Sequence, residues 1–241
     1  TNYEIFQLFK GNKRLLLFLI KEQILTVDEY ITEKILSDKY QKLNYHLYLY
    51  PEIRDLVNTE NKPIYEYTYN KLIERGTSLF ELQRRVGENH NSLPQFIQGD
   101  LIAQFNSHVR NYKLSLVSTI EPSIFETNQF LIGKKPTLIE YAAFFGSIQI
   151  FKHLLLNNVK LTPSVWPYAI HGNNLEIIQI LVDKKVKPVD NTYIDCIKES
   201  IRCHHLELTN FIQTKIMKTQ SIEDYKVRAK AIKYVNFEYL P

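Results

Sequence analysis

Between Pro136 and Ser164 the apolar positions recur at helical spacing, twice, with a break in the middle. The stretch reads "PTLIEYAAFFGSIQIFKHLLLNNVKLTPS". Thr137 predicts the start of a first helix, "LIEYAAFF", because its hydroxyl can accept from an orphan N–H. The small pair Ala142–Ala143 leaves room for a neighbouring helix. Gly146 predicts a left-handed stop. Ser147 then predicts the cap of a second helix, "IQIFKHLLLNN". Its Ile148, Ile150, Phe151, Leu154 and Leu155 form one apolar stripe. "VKLTPS" is a loop, stopped by Pro163.

The layout recurs downstream. In "VWPYAIHGNNLEIIQILVDKKVKPVD", Ala169, Leu175 and Val186 stand 27 residues after Ala142, Ile148 and Val159. Asn173 falls where Gly146 stood, and Asn tolerates the left-handed conformation. In "IDCIKESIRCHHLELTNFIQTKI", Ser200 and Leu206 stand 31 residues after Ala169 and Leu175, and His204 takes the turn. The inserted "NTYI" lengthens that loop. Upstream, "SLPQFIQGDLIAQFNSHVRNYKLSL" has the same two-helix shape. Leu93 to Gln98 would be its first helix and Asp100 the cap of its second. Leu101, Ile102, Phe105 and Val109 would form the apolar face of that second helix. Self-similarity at such a period predicts stacked helix pairs.

The N-terminal third is helical but less regular. "KRLLLFLIKEQIL" predicts a helix to about Ile24, and acidic Asp28–Glu29 favours the first turn of another. "QKLNYHLYLYPEIRDLV" is a Tyr-rich helix that Pro51 would interrupt. "NTENKPIYEY" is the best linker candidate. The expected organisation is an N-terminal helical region at 1–60, a linker and connecting helix at 61–90, and repeats at 91–217. The repeats would run 91–120, 136–164, 165–193 and 194–217, with a capping segment at 218–241. The fold class is all-α, an α-solenoid of helix-turn-helix repeats.

Composition changes this little. Of 241 residues, 44% are hydrophobic and 23% charged, with only 7 Gly, as short-turned helices require. Net charge is +4, and its Lys and Arg are scattered in pairs, so a nucleic-acid partner is not expected. The densest basic run, Lys226 to Lys233, reads as a solvated helix face. The longest apolar run, Leu15 to Ile20, is far short of the ~20 residues that span a bilayer, so no membrane is expected. Cys196 and Cys203, seven apart on one helix, lie too far from each other for a disulfide. Two reduced thiols and the absence of any N-x-S/T sequon fit a cytoplasmic location.

"TLIEYAAFFGSIQIFKHLL" resembles the ankyrin consensus at Thr137, Ile139, Ala142, Ala143, Gly146, Ile148, Phe151, Leu154 and Leu155. It departs from that consensus at Leu138, Glu140 and Asn158. More narrowly, "FLIKEQILTVDEYI", "RRVGEN", "STIEPSIFETNQFL", "IEYAAFFGSIQIF" and "SIRCHH" together are similar to an ankyrin-like family of unknown function expanded in flagellated protist parasites. The ankyrin resemblance implies ankyrin-type repeats and a protein–protein interaction scaffold without catalysis. Carried onto this chain, its variable binding positions are Tyr141, Phe144 and Phe145, then Tyr168 and His171, then Glu199 and Arg202. A concave face rich in Tyr, Phe and Arg suits a protein partner.

Candidate chemistry is sparse. Gly133–Lys134 lacks the spacing of a phosphate loop, and no G-x-G-x-x-G, G-x-S-x-G or H-E-x-x-H is present. Cys196, Cys203, His204 and His205 are zinc-ligand types, but their spacing does not converge tetrahedrally. The expectation is therefore no catalytic residue, no metal and no cofactor. The leading function is a scaffold binding a protein partner through its concave face. The second is a permanent structural component of a large multiprotein assembly, cytoskeletal or ciliary. Nucleic-acid binding through Lys226, Arg228, Lys230 and Lys233 is a further class, and it would be steeply salt-dependent.

Overall fold

The computed structural model describes residues 1–37, 43–218 and 225–236. Among these residues the protein is all-α, with no strand and a single isolated bridge between Thr119 and Thr137. The chain divides into two units. Unit 1 comprises 1–91 and 121–135, and unit 2 comprises 92–120 and 136–241.

In unit 1, α1 (Asn2–Phe9), α2 (Lys13–Lys21) and α3 (Glu29–Leu36) are followed by two short helices, α4 (Tyr45–Tyr48) and α5 (Tyr50–Ile53). Asp28, expected in the first turn of α3, is instead its N-cap, and its carboxylate accepts from Ile31 N. The predicted Tyr-rich helix breaks at Leu49, two residues before Pro51, and its first residues, Gln41 and Lys42, lie outside the described residues. The segment 61–90, expected as a linker and connecting helix, is helical over most of its length. Its Lys62–Ile73 and Thr77–Val86 form α6 and α7, which pack on each other, and α6 also packs on α4. The rings of Tyr50, Tyr69 and Phe80 touch in series and supply the apolar contact that the polar-looking α6 sequence conceals.

Residues 121–135 return to this unit. Thr127 donates from its backbone and its hydroxyl to Gly87 O, and Gln129 donates to Gly11 O. The deepest anchor is Lys13, whose side chain is fully buried. Its Nζ donates to Ile124 O at 2.6 Å and sits 4.9 Å from the centre of the Tyr48 ring. Burial pulls its pKa down to about 7, against the charge of Glu126. Above that pH the folded state holds Lys13 neutral, while the unfolded lysine stays protonated to about 10.5. Unfolding then takes up a proton, so stability should rise with pH across this window. Between about pH 7 and 8.5 the wild type should gain on the order of 1.5 kcal/mol relative to Lys13→Met, read by denaturant titration. An equal gap at both pH values would contradict this.

Unit 2 holds α8 (Ser92–Gln98), α9 (Ile102–Asn111), α10 (Leu138–Phe144), α11 (Ile148–Leu156), α12 (Val165–Gly172) and α13 (Leu175–Asp183). These are followed by α14 (Ile194–Arg202), α15 (Leu206–Phe211) with a π-turn at Ile212–Ile216, and α16 (Tyr225–Lys233). Each of the four pairs from α8/α9 to α14/α15 turns at a left-handed residue: Asp100, Gly146, Asn173 and His204. A backbone bond spanning five residues closes three of these turns: Leu101 N to Phe96 O, Ser147 N to Ala142 O and His205 N to Ser200 O. First helices pack in series, α8 on α10, α10 on α12, α12 on α14, and α14 on α16. Second helices pack in a parallel series, α9 on α11 and α11 on α13.

Two caps differ from expectation. Thr137 does form a capping box with Glu140. Asp100, however, does not cap its own helix, because its left-handed backbone turns the carboxylate forward onto Gln149 N and Ile150 N of α11. Ser147 is thereby released from capping, and its hydroxyl donates to Ile97 O. Asn174 links the next turn in a similar way, capping α13 with its oxygen and donating from its amide to Gly146 O. These bonds join one pair to the next. Of the expected capping segment at 218–241, residues 219–224 and 237–241 lie outside the described residues. Within it, α16 buries Val227 and Ala231 and leaves Arg228 and Lys233 exposed.

Candidate functional site

The seven expected contact residues fall on three consecutive first helices. α10 carries Tyr141 and Phe144, with Phe145 as its C-cap. α12 carries Tyr168 and His171, and α14 carries Glu199 and Arg202. Six of them form one continuous path. The Tyr141 and Phe145 rings lie 4.8 Å apart, and Phe144 meets Phe145 edge-on at 5.0 Å. Phe144 then stacks on the His171 ring at 5.2 Å, with 26° between planes. His171 Nε2 contacts Glu199 Oε1 at 2.7 Å, and Glu199 is paired in turn with Arg202. The path thus runs from aromatic to ionic across three helices.

The exposure of these residues departs from the expectation. Tyr141 is 2% exposed and Phe144 8%. The first helices approach closely enough that each of these rings is covered by its neighbours. Gln98 on α8 donates to the Tyr141 hydroxyl at 3.0 Å. Neither ring offers much area to a partner. Phe145, Tyr168, His171, Glu199 and Arg202 remain partly exposed. Burial together with the Glu140 charge pushes the Tyr168 pKa up to about 12.

The polar end of the path is tightly balanced. The Glu199 contact requires a proton on His171 Nε2, so Arg202, 3.1 Å from that nitrogen, finds its partner in the carboxylate rather than the ring. Burial opposes the charged Glu199, but the His171 hydrogen bond and the Arg202 charge outweigh it and hold the carboxyl below its usual pKa. Cys203 Sγ lies 3.6 Å from His171 Nδ1 and 3.8 Å from Nε2. Burial, reinforced by the Glu199 charge, pushes this thiol up to about 11. Such a thiol is a poor nucleophile near neutral pH. Cys196 is buried, and burial raises its pKa too. Both cysteines are free thiols.

The zinc-type residues weighed from sequence do not converge. Cys203 instead joins His171 and Glu199, whose ligand atoms all lie within 4.8 Å of one another. The only sequence trace of this cluster is the spacing of Glu199 and Cys203, four apart and therefore on one helix face. His171 reaches them from another helix, which no local spacing announces.

No family model, no curated protein and no solved structure matches the chain. Among the described residues, no helix is long and apolar enough to cross a membrane.

Proposed function

We propose that this protein is an interaction scaffold, an ankyrin-type α-solenoid that binds a protein partner through a concave face built from α10, α12 and α14. The observation that carries this reading is the packing order. First helices stack on first helices and second helices on second helices, with a left-handed residue at each turn between them. Such units bury their apolar stripes only by stacking, and the stack leaves an extended side free for recognition. The partly exposed Phe145, Tyr168, His171, Glu199 and Arg202 supply an aromatic and charged set of the kind that dominates protein interfaces.

The test is an affinity capture from source-cell lysate, comparing wild type with Tyr168→Ala/Arg202→Ala at matched circular dichroism and melting temperature. A partner retained by wild type and weakened at least about tenfold by the variant is expected. Equal capture by both would remove this face from the proposal. Native protein confined to a detergent-insoluble pellet would favour the structural-assembly alternative.

A further inference from the structure

The cluster at the end of α14 holds three different ligand atoms at close range: an imidazole nitrogen, a carboxylate oxygen and a thiol sulfur. We propose that His171, Glu199 and Cys203 form a binding site for a borderline divalent transition-metal cation of the zinc class, with Arg202 as its built-in competitor. This goes beyond the scaffold reading and does not depend on it.

Geometry supports the assignment. Glu199 and Cys203 project from one face of one helix, and His171 comes from the helix packed beside it. All three therefore sit on, or at the end of, rigid elements. The Sγ-to-imidazole distances of 3.6 and 3.8 Å lie within reach of a thiol hydrogen bond. They are close to the edge of a ligand tetrahedron around zinc, ~3.5 Å from usual metal–sulfur and metal–nitrogen lengths. The shorter His171–Glu199 contact would have to open to ~3.3 Å, and the Glu199 side chain, 24% exposed, has room to move. Stacking on Phe144 fixes the plane of the His171 ring, as the surroundings of a metal-binding histidine commonly do.

The donor set selects the cation. Calcium and magnesium take oxygen ligands, whereas a mixed sulfur, nitrogen and oxygen set suits zinc and its borderline neighbours. Three protein ligands leave a fourth position for water or an exogenous group.

Arg202 opposes this site and provides its sharpest test. Its guanidinium pairs with Glu199 and lies beside His171 Nε2. A metal cation needs the same carboxylate, so Arg202 must swing away. At 31% side-chain exposure it is the freest of the charged groups in the cluster. Removing its charge should therefore tighten metal binding. A cluster that only ties two helices together predicts no metal response to that change.

The experiment titrates metal-free protein with Co²⁺, the spectroscopic substitute for zinc, and follows thiolate-to-cobalt charge-transfer absorption. The wild type should show one saturable site that added Zn²⁺ empties. Cys203→Ser should lose the band, Cys196→Ser should keep it, and Arg202→Gln should bind ~10-fold tighter or more. Circular dichroism confirms that each variant is folded, and His171→Asn serves as a second ligand variant. No saturable band in the wild type overturns the proposal, even if Arg202→Gln shows one. A band that survives Cys203→Ser, or is lost in Cys196→Ser, overturns it as well.

Discussion

Gly172→Ala should destabilise unit 2 by about 3 kcal/mol or more, a loss typical of overpacking against an immovable group. Gly172 ends α12. A Cβ there would lie 2.0 Å from the carbonyl oxygen of Ala143 and 3.1 Å from Gly146 N. Both are backbone atoms, so no rotamer change relieves the clash. α12 and α10 would have to separate, and the Phe144–His171 stack lies between those same helices. The chain's single tryptophan, Trp166, is buried in α12 and donates to Val186 O at 2.9 Å. Its fluorescence reports on unit 2 directly, and its unfolding midpoint should fall by roughly 10 °C. Gly99→Ala is the control, since its Cβ would meet mainly the flexible Leu101 side chain and should cost no more than about 1 kcal/mol. A Gly172→Ala protein as stable as the control would contradict the close α10–α12 approach.

Arg84→Ala should cost unit 1 about 3–5 kcal/mol, as loss of one member of a buried ion pair does. The Arg84 side chain is fully buried. Nη1 donates to Tyr48 O at 2.8 Å and to Glu52 Oε2 at 2.7 Å, and Nη2 donates to Glu52 Oε1 at 2.6 Å. The Tyr48 hydroxyl donates back to Arg84 O. The guanidinium lies 5.3 Å from the Phe80 ring centre and 5.7 Å from that of Tyr48. Truncation leaves Glu52 and the Tyr48 carbonyl without this donor, which is where most of the cost arises. Hydrogen exchange of the α4–α7 amides reads the change. The double variant Arg84→Met/Glu52→Leu should recover much of the loss, because it leaves no stranded charge. An Arg84→Ala protein with unchanged exchange would show that the pair contributes nothing net.

Much of unit 2 could be read along the chain because its signals are local. Apolar stripes at helical spacing marked the helices, and Gly146, Asn173 and His204 marked turns that each adopt positive φ. Thr137 announced its capping box with Glu140. What was not legible depends on contacts between distant residues. Asp100 reads as a cap for the helix beside it, yet it serves one that starts 48 residues later. Nothing local marks Gly172, and only the approach of α10 makes it indispensable. Residues 61–90 read as a linker and connecting helix because the Tyr50–Tyr69–Phe80 contact that packs them spans three separate segments. Tyr141 and Phe144 occupy expected surface positions but are covered by neighbouring first helices. Cys203 was weighed together with Cys196, His204 and His205, while its neighbour His171 lies 32 positions upstream.

The proposed scaffold function requires that the face carrying Tyr168 meet a protein partner. The most direct measurement is site-specific photo-crosslinking in source-cell lysate. One sample carries p-azidophenylalanine, near tyrosine in size, at Tyr168 on the first-helix side. The other carries it at Leu156, which is 82% exposed at the end of the second helix α11. A discrete adduct is expected from position 168, one that excess unlabelled protein suppresses, and none from position 156. The same adduct from both positions, or an adduct from position 156 alone, would contradict it.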